Sequence, residues 1–173
     1  MNTNTFGLNH IITPQLTIRD PIFADLPGWH QLFSNKHNMH FVPQLQTTCM
    51  KESRTNLQNT IDAASITPRE KYFFTVELTQ TGEFLGSIGF TVYEKENGRE
   101  GSLGWFFLPE HHGRGYATQA LLALIPHMFE HWGITHATAG CNIENQASER
   151  VMQKAGMAFV RRHDNRVEYQ LMR

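Results

Sequence analysis

The run of residues with the clearest potential for chemistry lies at 106–118, where an apolar strand-like segment leads through two glycines into a helix-like segment. The first N–H groups of a helix have no intrahelical partner and the helix dipole is positive there, so such a turn can hold a phosphate or pyrophosphate. Gly113 and Gly115 remove side chains that would keep a ligand away from those amides. Arg114 adds charge at the rim, and the small Ala117 keeps the first helical turn open.

The glycine pattern excludes some sites and leaves others open. It is not a P-loop, because no Gly-Lys-Ser/Thr comes after it at the required spacing. It lacks the third glycine of a dinucleotide-binding fingerprint, and it comes after a run of predicted strands instead of opening the fold. A Gly-x-Gly turn before a helix is also common as a tight connection. On the residues alone, a phosphate-binding turn and a structural turn both remain open.

Composition and charge exclude broader classes of function. Lys and Arg total 15 against 16 Asp and Glu, a formal charge of −1, so the chain lacks the basic excess of a nucleic-acid-binding domain. His127 and His131 have a spacing that can bind a metal, but no third ligand accompanies them and we expect both to face solvent. Cys49 and Cys141 fit neither a disulfide framework nor zinc spacing, and we expect two buried thiols in a reducing compartment.

Length and segment patterns bound the organisation of the chain. With 173 residues and no repeat or long linker, we expect one domain over 1–173. Residues 1–18 show no signal-peptide pattern, and no apolar stretch reaches the roughly 20 residues of a membrane-spanning helix. We therefore expect a cytoplasmic monomer or homodimer, without a nucleic-acid or membrane partner.

The first half of the sequence predicts helices and then an antiparallel meander. Two helices are predicted, the first capped by Asp25 and the second, ending near Ala64, capped by Thr47 or Thr48. Four strands are predicted, at 15–19, 72–78, 84–93 and 102–108. Each shows either alternation of apolar and polar residues or a high content of aromatic and β-branched residues between turn signals.

The second half predicts a strand–turn–helix–strand unit. A helix over 115–131 has apolar residues at the helical period, with Pro126 inside it as the source of a kink. After it come a strand at 136–141, a helix at 145–155 ended by Gly156, and a hairpin of strands at 159–161 and 167–172. Together these elements predict an α/β (α+β) fold, a mixed, mostly antiparallel twisted sheet of about seven strands flanked by about four helices.

The glycine segment and its surroundings also resemble a known family. His112-Gly113-Arg114-Gly115-Tyr116-Ala117 is similar to the pyrophosphate-binding motif of the GNAT superfamily of N-acetyltransferases, Gln/Arg-x-x-Gly-x-Gly/Ala. The residues after this motif resemble the branch that acetylates ribosomal-protein N-termini: Thr118 and a helix, a strand into Cys141-Asn142, then Asn145-x-x-Ser148 and Lys154-Ala155-Gly156-Met157. The resemblance spans nearly the whole chain, from residues 16–19 through 86–89 to Tyr169.

This resemblance implies an activity and a set of site residues. It implies that the chain uses acetyl-coenzyme A as co-substrate, without a metal, and that a primary amine attacks the thioester directly. Backbone groups of Phe106, Phe107 and Leu108 would bind the pantetheine arm and polarise the thioester carbonyl. The pyrophosphate would lie on the turn and the first helical residues: His112, Gly113, Arg114, Gly115, Tyr116, Ala117 and Thr118. Asn142, Asn145 and Ser148 would contact the coenzyme from the other side.

Two departures from the family pattern bear on catalysis. His112 stands where the motif has Gln or Arg, a position that varies in the ribosomal-protein-like branch. Met152 stands where many members have a tyrosine that protonates the leaving thiolate, which methionine cannot do. The resemblance gives Ser148 a contact with the coenzyme sulfur, so Ser148 is the candidate catalytic donor; the alternative is that it only supports the helix start. The general base stays open among Glu77, Glu94, His111 and a water chain.

The acceptor and one alternative function stay open as well. The leading hypothesis is an N-acetyltransferase for a protein N-terminus or a small-molecule amine, including a polyamine, an amino acid or an aminoglycoside-like antibiotic. The alternative, suggested by Met152 and the unassigned base, is a catalytically silent acyl-coenzyme A-binding or regulatory domain. The segment that the family uses for substrate binding contains several aromatic and histidine side chains: Trp29, Phe33, His37, His40 and Phe41. For the aromatic residues among them, packing in the core is the simpler explanation.

Overall fold

The structure, a computed structural model, describes residues 10–173; the beginning of the segment examined for a signal peptide, residues 1–9, lies outside it. The described chain has four α-helices: α1 (Leu26–Ser34), α2 (Met50–Ala64), α3 (Tyr116–His131) and α4 (Gln146–Lys154). It has eight strands: β1 (Ile11–Ile12), β2 (Leu16–Arg19), β3 (Lys71–Leu78), β4 (Phe84–Lys95), β5 (Gly98–Phe107), β6 (His136–Asn142), β7 (Ala158–His163) and β8 (Arg166–Met172). Within residues 10–173, no helix has the length and apolar character needed to cross a bilayer.

All of these strands form one sheet in the order β1-β2-β3-β4-β5-β6-β8-β7. Neighbours are antiparallel except β5 and β6, which are parallel and are connected through α3. The predicted fold class is confirmed, and the two-residue β1 is an addition to the seven strands that the sequence predicted.

The parallel pair β5–β6 holds together over one short seam, residues 100–102 against 136–138. Beyond the seam, β5 continues to Phe107 and β6 to Asn142 without pairing to each other. Gly101 lies in the middle of the seam, where a Cβ would collide with Met128 Cε of α3. The space between the unpaired carboxyl ends of the two strands is called here the V-shaped gap.

Two apolar clusters cover the two faces of the sheet. Helices α3 and α4 pack on one face, where Leu121, Leu124 and Met128 are fully buried among core side chains of the strands. Helices α1 and α2 pack on the other face around Trp29 and Leu57. Side chains of β5 alternate between the clusters, with Phe107 in the first and Phe106 against the second.

The aromatic side chains of the segment that the family uses for substrate binding lie mainly in the core, as the sequence predicted. Trp29 and Phe33 are buried, with ring centroids 5.0 Å apart, and Trp29 Nε1 donates to Asn56 Oδ1 at 2.7 Å. His37 and His40 are exposed and Phe41 is half-buried. The histidines are therefore the members of this set that face solvent.

Asp25 occupies the N-cap position of α1, with a proline in the first turn, as predicted. Its side chain, however, makes no capping bond. Its carboxylate instead accepts from Arg19 Nη1 and Nη2 at 2.9 and 2.8 Å and from Thr75 Oγ1 at 2.8 Å. Arg19 also binds Glu77, with Nη2 2.6 Å from Oε2. Hydrogen bonding to Asp25 raises the pKa of the Arg19 guanidinium, so this buried ion-pair cluster stays charged and ties β2, β3 and the start of α1 together.

The start of α2 differs from the prediction. Cys49, not a threonine, occupies the N-cap position. Thr48 N–H and Oγ1–H both donate to Glu52 Oε2, at 2.6 and 2.9 Å, while the buried Thr47 hydroxyl is bonded to Ser53 Oγ at 2.7 Å. Because a helix terminus faces solvent, Cys49 is exposed, and the expectation that it is buried is wrong; Cys141 is buried as expected.

Candidate active site

The turn between β5 and α3 lies at the end of the sheet where the V-shaped gap opens. Gly113 and Gly115 have φ angles of +75° and +82°, in the left-handed region that favours glycine. A Cβ at Gly113 would meet no atom within 4 Å, so these glycines serve the backbone conformation and leave the surface open. Gly115 is the N-cap of α3 without a side-chain capping bond. The amides of Tyr116, Ala117 and Thr118 come next in the first helical turn, where N–H groups have no intrahelical acceptor.

The last residues of β5 alternate the direction of their backbone groups. Leu108 N–H donates to the Leu85 carbonyl at 2.9 Å, and the Phe106 carbonyl lies so close to Gly86 that a Cβ there would collide with it. In an antiparallel pair the intervening residues point their backbone groups the other way. The backbone N–H and C=O groups of Trp105 and Phe107 therefore face the V-shaped gap. Of the three residues predicted to bind the pantetheine arm, Phe107 has backbone groups that face the gap, whereas Phe106 and Leu108 direct theirs toward β4.

His112 is anchored to the end of β5. Its Nε2–H donates to the Phe107 carbonyl at 2.8 Å, since a carbonyl oxygen can only accept. This bond engages the gap-facing carbonyl of Phe107 and leaves the N–H of Phe107 as the group directed into the gap. Arg114, two residues further on, is exposed at the rim of the turn.

Two asparagine side chains order the segment after β6, across the gap from Phe107. Asn142 Oδ1 accepts from Glu144 N–H at 2.9 Å. Asn145 is the N-cap of α4, and its Oδ1 accepts from Ser148 N–H at 3.1 Å. The capping bond, and not a shared helical face, brings Asn145 and Ser148 together. Ser148 is half-buried in the first turn of α4.

Met152 cannot take part in proton transfer from its position on α4. Its side chain is fully buried in the core cluster beneath α3 and α4. A tyrosine at this position would have to displace core packing before its hydroxyl reached the gap. Ser148 is the hydroxyl-bearing residue of α4.

Two of the three candidate bases, Glu77 and Glu94, are paired with arginines. Glu77 is bound by Arg19 within the buried ion-pair cluster. Glu94 pairs with Arg99 at 2.8 Å near the far end of β4. It lies about 23 Å along the strand from Ser87, the residue paired with Phe106 beside the gap, at roughly 3.3 Å per residue. His111 lies beside the glycine turn, with Nε2 3.4 Å from Glu83 Oε1. Its buried Nδ1 has no hydrogen-bond partner within residues 10–173.

The described residues also bear on metal binding. Between residues 10 and 173, no group of three or more His, Cys, Asp or Glu side chains is placed to hold a metal ion. His131 is exposed and His127 half-buried, with ring centroids 5.1 Å apart on α3.

Comparison with known proteins establishes the family. The family described as Acetyltransferase (GNAT) domain matches residues 15–158. The chain belongs to the GNAT acetyltransferase family. It is therefore an acyltransferase, and the resemblance to the GNAT superfamily is confirmed. A relative of this GNAT protein is YnaD of Bacillus subtilis, an uncharacterised N-acetyltransferase that is 32% identical over 148 residues, 86% of this chain and 82% of YnaD.

Solved acetyltransferases share the fold of this GNAT protein. A GNAT-family acetyltransferase from Bacillus anthracis superimposes with a TM-score of 0.79 at 25% identity, covering 94% of this chain and 98% of the other. RimL, a ribosomal α-N-protein acetyltransferase solved in complex with coenzyme A, superimposes with a TM-score of 0.80 at 20% identity, covering 94% and 97%.

Two contacts near the gap of this acetyltransferase were not predicted from its sequence. Tyr169 Oη–H donates to Glu149 Oε1 at 3.0 Å and accepts from Gln153 Nε2 at 2.9 Å, which fixes α4 on β8. Gln31 Nε2 donates to Glu110 Oε1 at 2.7 Å, which joins α1 to the segment before the glycine turn. Both contacts join residues far apart in the sequence, and no residue spacing signals them.

Cys141 lies next to the carboxyl end of β6, on the gap side of this acetyltransferase. Its Sγ–H donates to the Asn145 carbonyl at 3.6 Å, within the loop that leads to α4. Burial raises the pKa of the Cys141 thiol to about 11, so the thiol is protonated at neutral pH.

Proposed function

We propose that the chain transfers the acetyl group of acetyl-coenzyme A to a primary amine in the V-shaped gap. The observation that carries this proposal is the separation of β5 from β6 beyond their seam, with the glycine turn at the open end. The gap exposes strand-edge backbone groups that suit an extended arm, and the turn exposes amides that suit the pyrophosphate of the same molecule.

Each side of the gap contributes a different kind of contact in this proposal. The backbone amides from Gly113 to Thr118, with the nearby His112, would hold the pyrophosphate, and Arg114 would add positive charge. Phe107 and Trp105 would bind the pantetheine arm along β5. Asn142, Asn145 and Ser148 would bind from the α4 side. Because Asn145 Oδ1 is committed to Ser148 N–H, its Nδ2 is the group free to donate.

Residues around the gap can supply the proton transfers of the reaction. The thioester of acetyl-coenzyme A, when bound, supplies an activated acetyl group. The Phe107 N–H would stabilise charge that develops on the carbonyl oxygen. Ser148 Oγ would donate a proton to the departing sulfur, since Met152 is buried and has no proton to give. His111 or a water chain would accept the proton of the amine.

The acceptor class and the compartment belong to the same proposal. The acceptor is a protein N-terminus or a small-molecule amine. Cys49 and Cys141 are both free thiols, which suits the reducing cytoplasm, and we treat residues 1–173 as one catalytic domain.

Two measurements test the proposed function. In the first, a thermal melt, acetyl-coenzyme A should raise the melting temperature and NADH should not, because a ligand that binds the folded state stabilises it by mass action. In the second, a panel of amines should yield free coenzyme A thiol with at least one acceptor. Stabilisation without thiol release from any amine would support the silent binding domain instead. No stabilisation at all would contradict both and leave the glycine turn as a structural connection.

A further inference from the structure

The V-shaped gap opens onto a sheet face that is lined by small residues and a positive charge. On β5 and β6, Gly104 and Gly140 lie on the same face as Phe106, because side chains alternate along a strand. A Cβ at Gly104 would meet no atom within 4 Å, so the surface beside it is open. Arg166 on β8 lies opposite Asn142, and its Nη2 would be 3.0 Å from a Cβ at Gly140.

Arg166 differs from the neighbouring arginine in having no carboxylate of its own. Arg161 holds Glu168, with Nε 2.7 Å from Oε2, and thereby neutralises the acidic residue next to Arg166 on this face. Within residues 10–173, Arg166 makes no ion pair at 4.0 Å or less. Its exposed guanidinium therefore keeps its hydrogen-bond donors for a molecule that approaches from solvent.

The opposite flank of the opening, unlike the hairpin, contains no acidic residue. The connection from α1 to α2, residues 35–49, contains Lys36, His37 and His40 but no Asp or Glu. Its position beside the opening is set by α1, where the Phe33 and Phe106 rings are 5.6 Å apart. The opening thus lies between Arg166 of the β7–β8 hairpin and a segment without negatively charged residues.

Acidic residues near the opening are engaged or solvated. Glu110 accepts from Gln31 at 2.7 Å, and Glu83 lies 3.4 Å from His111. Glu144 is exposed, where solvent and salt screen its charge. Within residues 10–173, these carboxylates do not come together in a cluster of three or more acidic side chains, the arrangement that would attract a polyamine.

From this distribution of charge, we infer that the acceptor is an anionic amine, a primary amine with a carboxylate nearby, and that Arg166 binds this carboxylate. The inference rests on the proposed function and names its substrate class. A guanidinium can form two parallel hydrogen bonds to a carboxylate, which selects for geometry as well as charge. The carboxylate could belong to an acidic residue next to a peptide N-terminus or to a free amino acid.

The test compares acceptors of equal shape and different charge. With acetyl-coenzyme A, thiol release is measured for the peptide Ser-Asp-Glu-Ala-Phe and its uncharged analogue Ser-Asn-Gln-Ala-Phe, which have the same terminal amine. Free aspartate and spermidine complete the panel. We expect kcat/KM for the acidic peptide to exceed that for the analogue by roughly 10- to 100-fold, the effect of one charged hydrogen bond. A higher rate for aspartate than for the acidic peptide would identify the free amino acid as the source of the carboxylate.

A variant separates recognition from folding. Arg166→Gln should remove most of the preference while leaving kcat/KM for the uncharged peptide, the melting temperature and coenzyme A affinity unchanged. Arg150→Gln, an exposed arginine on α4 on the other face of the sheet, is the matched control and should keep the preference.

Three results would overturn the inference. One is equal use of the acidic and uncharged peptides by the unmodified chain. Another is a preference for spermidine. A third is an Arg166→Gln variant that lowers both peptide rates equally, which would make Arg166 structural. Absence of thiol release with every acceptor would instead overturn the proposed function, and the inference with it.

Discussion

Ser148 combines two properties that no other residue of α4 has, a hydroxyl group and a place in the first turn beside the gap. We predict that Ser148→Ala lowers kcat by roughly 10²- to 10⁴-fold, the contribution of a general acid, with acetyl-coenzyme A affinity nearly unchanged. Steady-state rates and titration calorimetry would measure the two quantities separately. Ser65→Ala, at the exposed end of α2, is the control and should behave like the unmodified chain.

Loss of affinity together with rate would contradict this assignment and make Ser148 a coenzyme ligand. Full activity of Ser148→Ala would assign the proton to water or to another residue. Either outcome is distinguishable from loss of folding, because the Asn145 cap bonds the backbone N–H of residue 148 and survives the substitution.

The two cysteines should differ strongly in reactivity. Alkylation requires an accessible thiolate: Cys49 is exposed, whereas Cys141 is buried and burial raises its pKa to about 11. We predict that iodoacetamide at pH 8 labels Cys49 first in the folded chain, as read by mass spectrometry of the peptides. In urea both should be labelled at similar rates. Equal labelling in the folded chain would show that Cys141 is accessible and ionised.

The same shift has a defined effect on stability. The folded-state pKa of Cys141 lies above its ordinary value of 9.0, so folding favours the protonated thiol. Its contribution to the free energy of unfolding is therefore complete below about pH 9 and is lost as the pH rises through about 11. The thiol adds no pH dependence to stability at neutral pH.

Among the elements, the glycine turn with the start of α3 carries a prediction of its own. Gly115→Val should weaken coenzyme A binding by on the order of 10-fold or more, because a side chain in left-handed backbone both strains the turn and covers its amides. Arg114→Ala should have a smaller effect, about 2- to 5-fold, since it removes one exposed charge. Calorimetric titration would rank the variants.

A second glycine controls for the strain alone. Gly156 has a φ of +80° and, like Gly113, would place a Cβ in open space, but it lies past the far end of α4. Gly156→Val should lose stability without a matching loss of coenzyme A affinity. Equal losses of affinity for Gly115→Val and Gly156→Val would count against the glycine turn as the pyrophosphate site.

The elements differ in how far the sequence could predict them. Strands β3 and β4 were found because they are rich in aromatic and β-branched residues between turn signals, and helix α3 because its apolar residues follow the helical period. The N-cap position of α1 was predicted correctly, but its side-chain capping bond is absent because the Asp25 carboxylate binds the half-buried Arg19, a contact that only the fold creates. Likewise, residue types placed the site at the end of β5, but only the register with β4 shows that Trp105 and Phe107 face the gap and Phe106 does not.

For the molecule as a whole, the buried ion-pair cluster is the feature with the clearest effect on stability. Removing one partner of a buried pair leaves an uncompensated charge, so we predict that Arg19→Met lowers the free energy of unfolding by on the order of 3 kcal/mol. Urea denaturation would measure it. Arg161→Met, which breaks an exposed pair, should change stability little. A similar cost for both variants would show that burial of the Arg19 cluster contributes nothing extra.

The short seam between β5 and β6 sets the angle at which the two strands separate toward the V-shaped gap. Residues 100–102 pair with residues 136–138, and Thr135 adds hydrogen bonds to the Arg99 carbonyl at the closed end. Gly101, in the middle of this seam and against Met128 of α3, lies about 20 Å from Phe107 at roughly 3.3 Å per residue. Over this length, a small change of the angle at the seam produces a displacement of several atoms' width at the open end of the gap. Natural or laboratory evolution could thus retune which acceptors fit, or how fast products leave, by exchanging side chains around Gly101 that never meet a substrate.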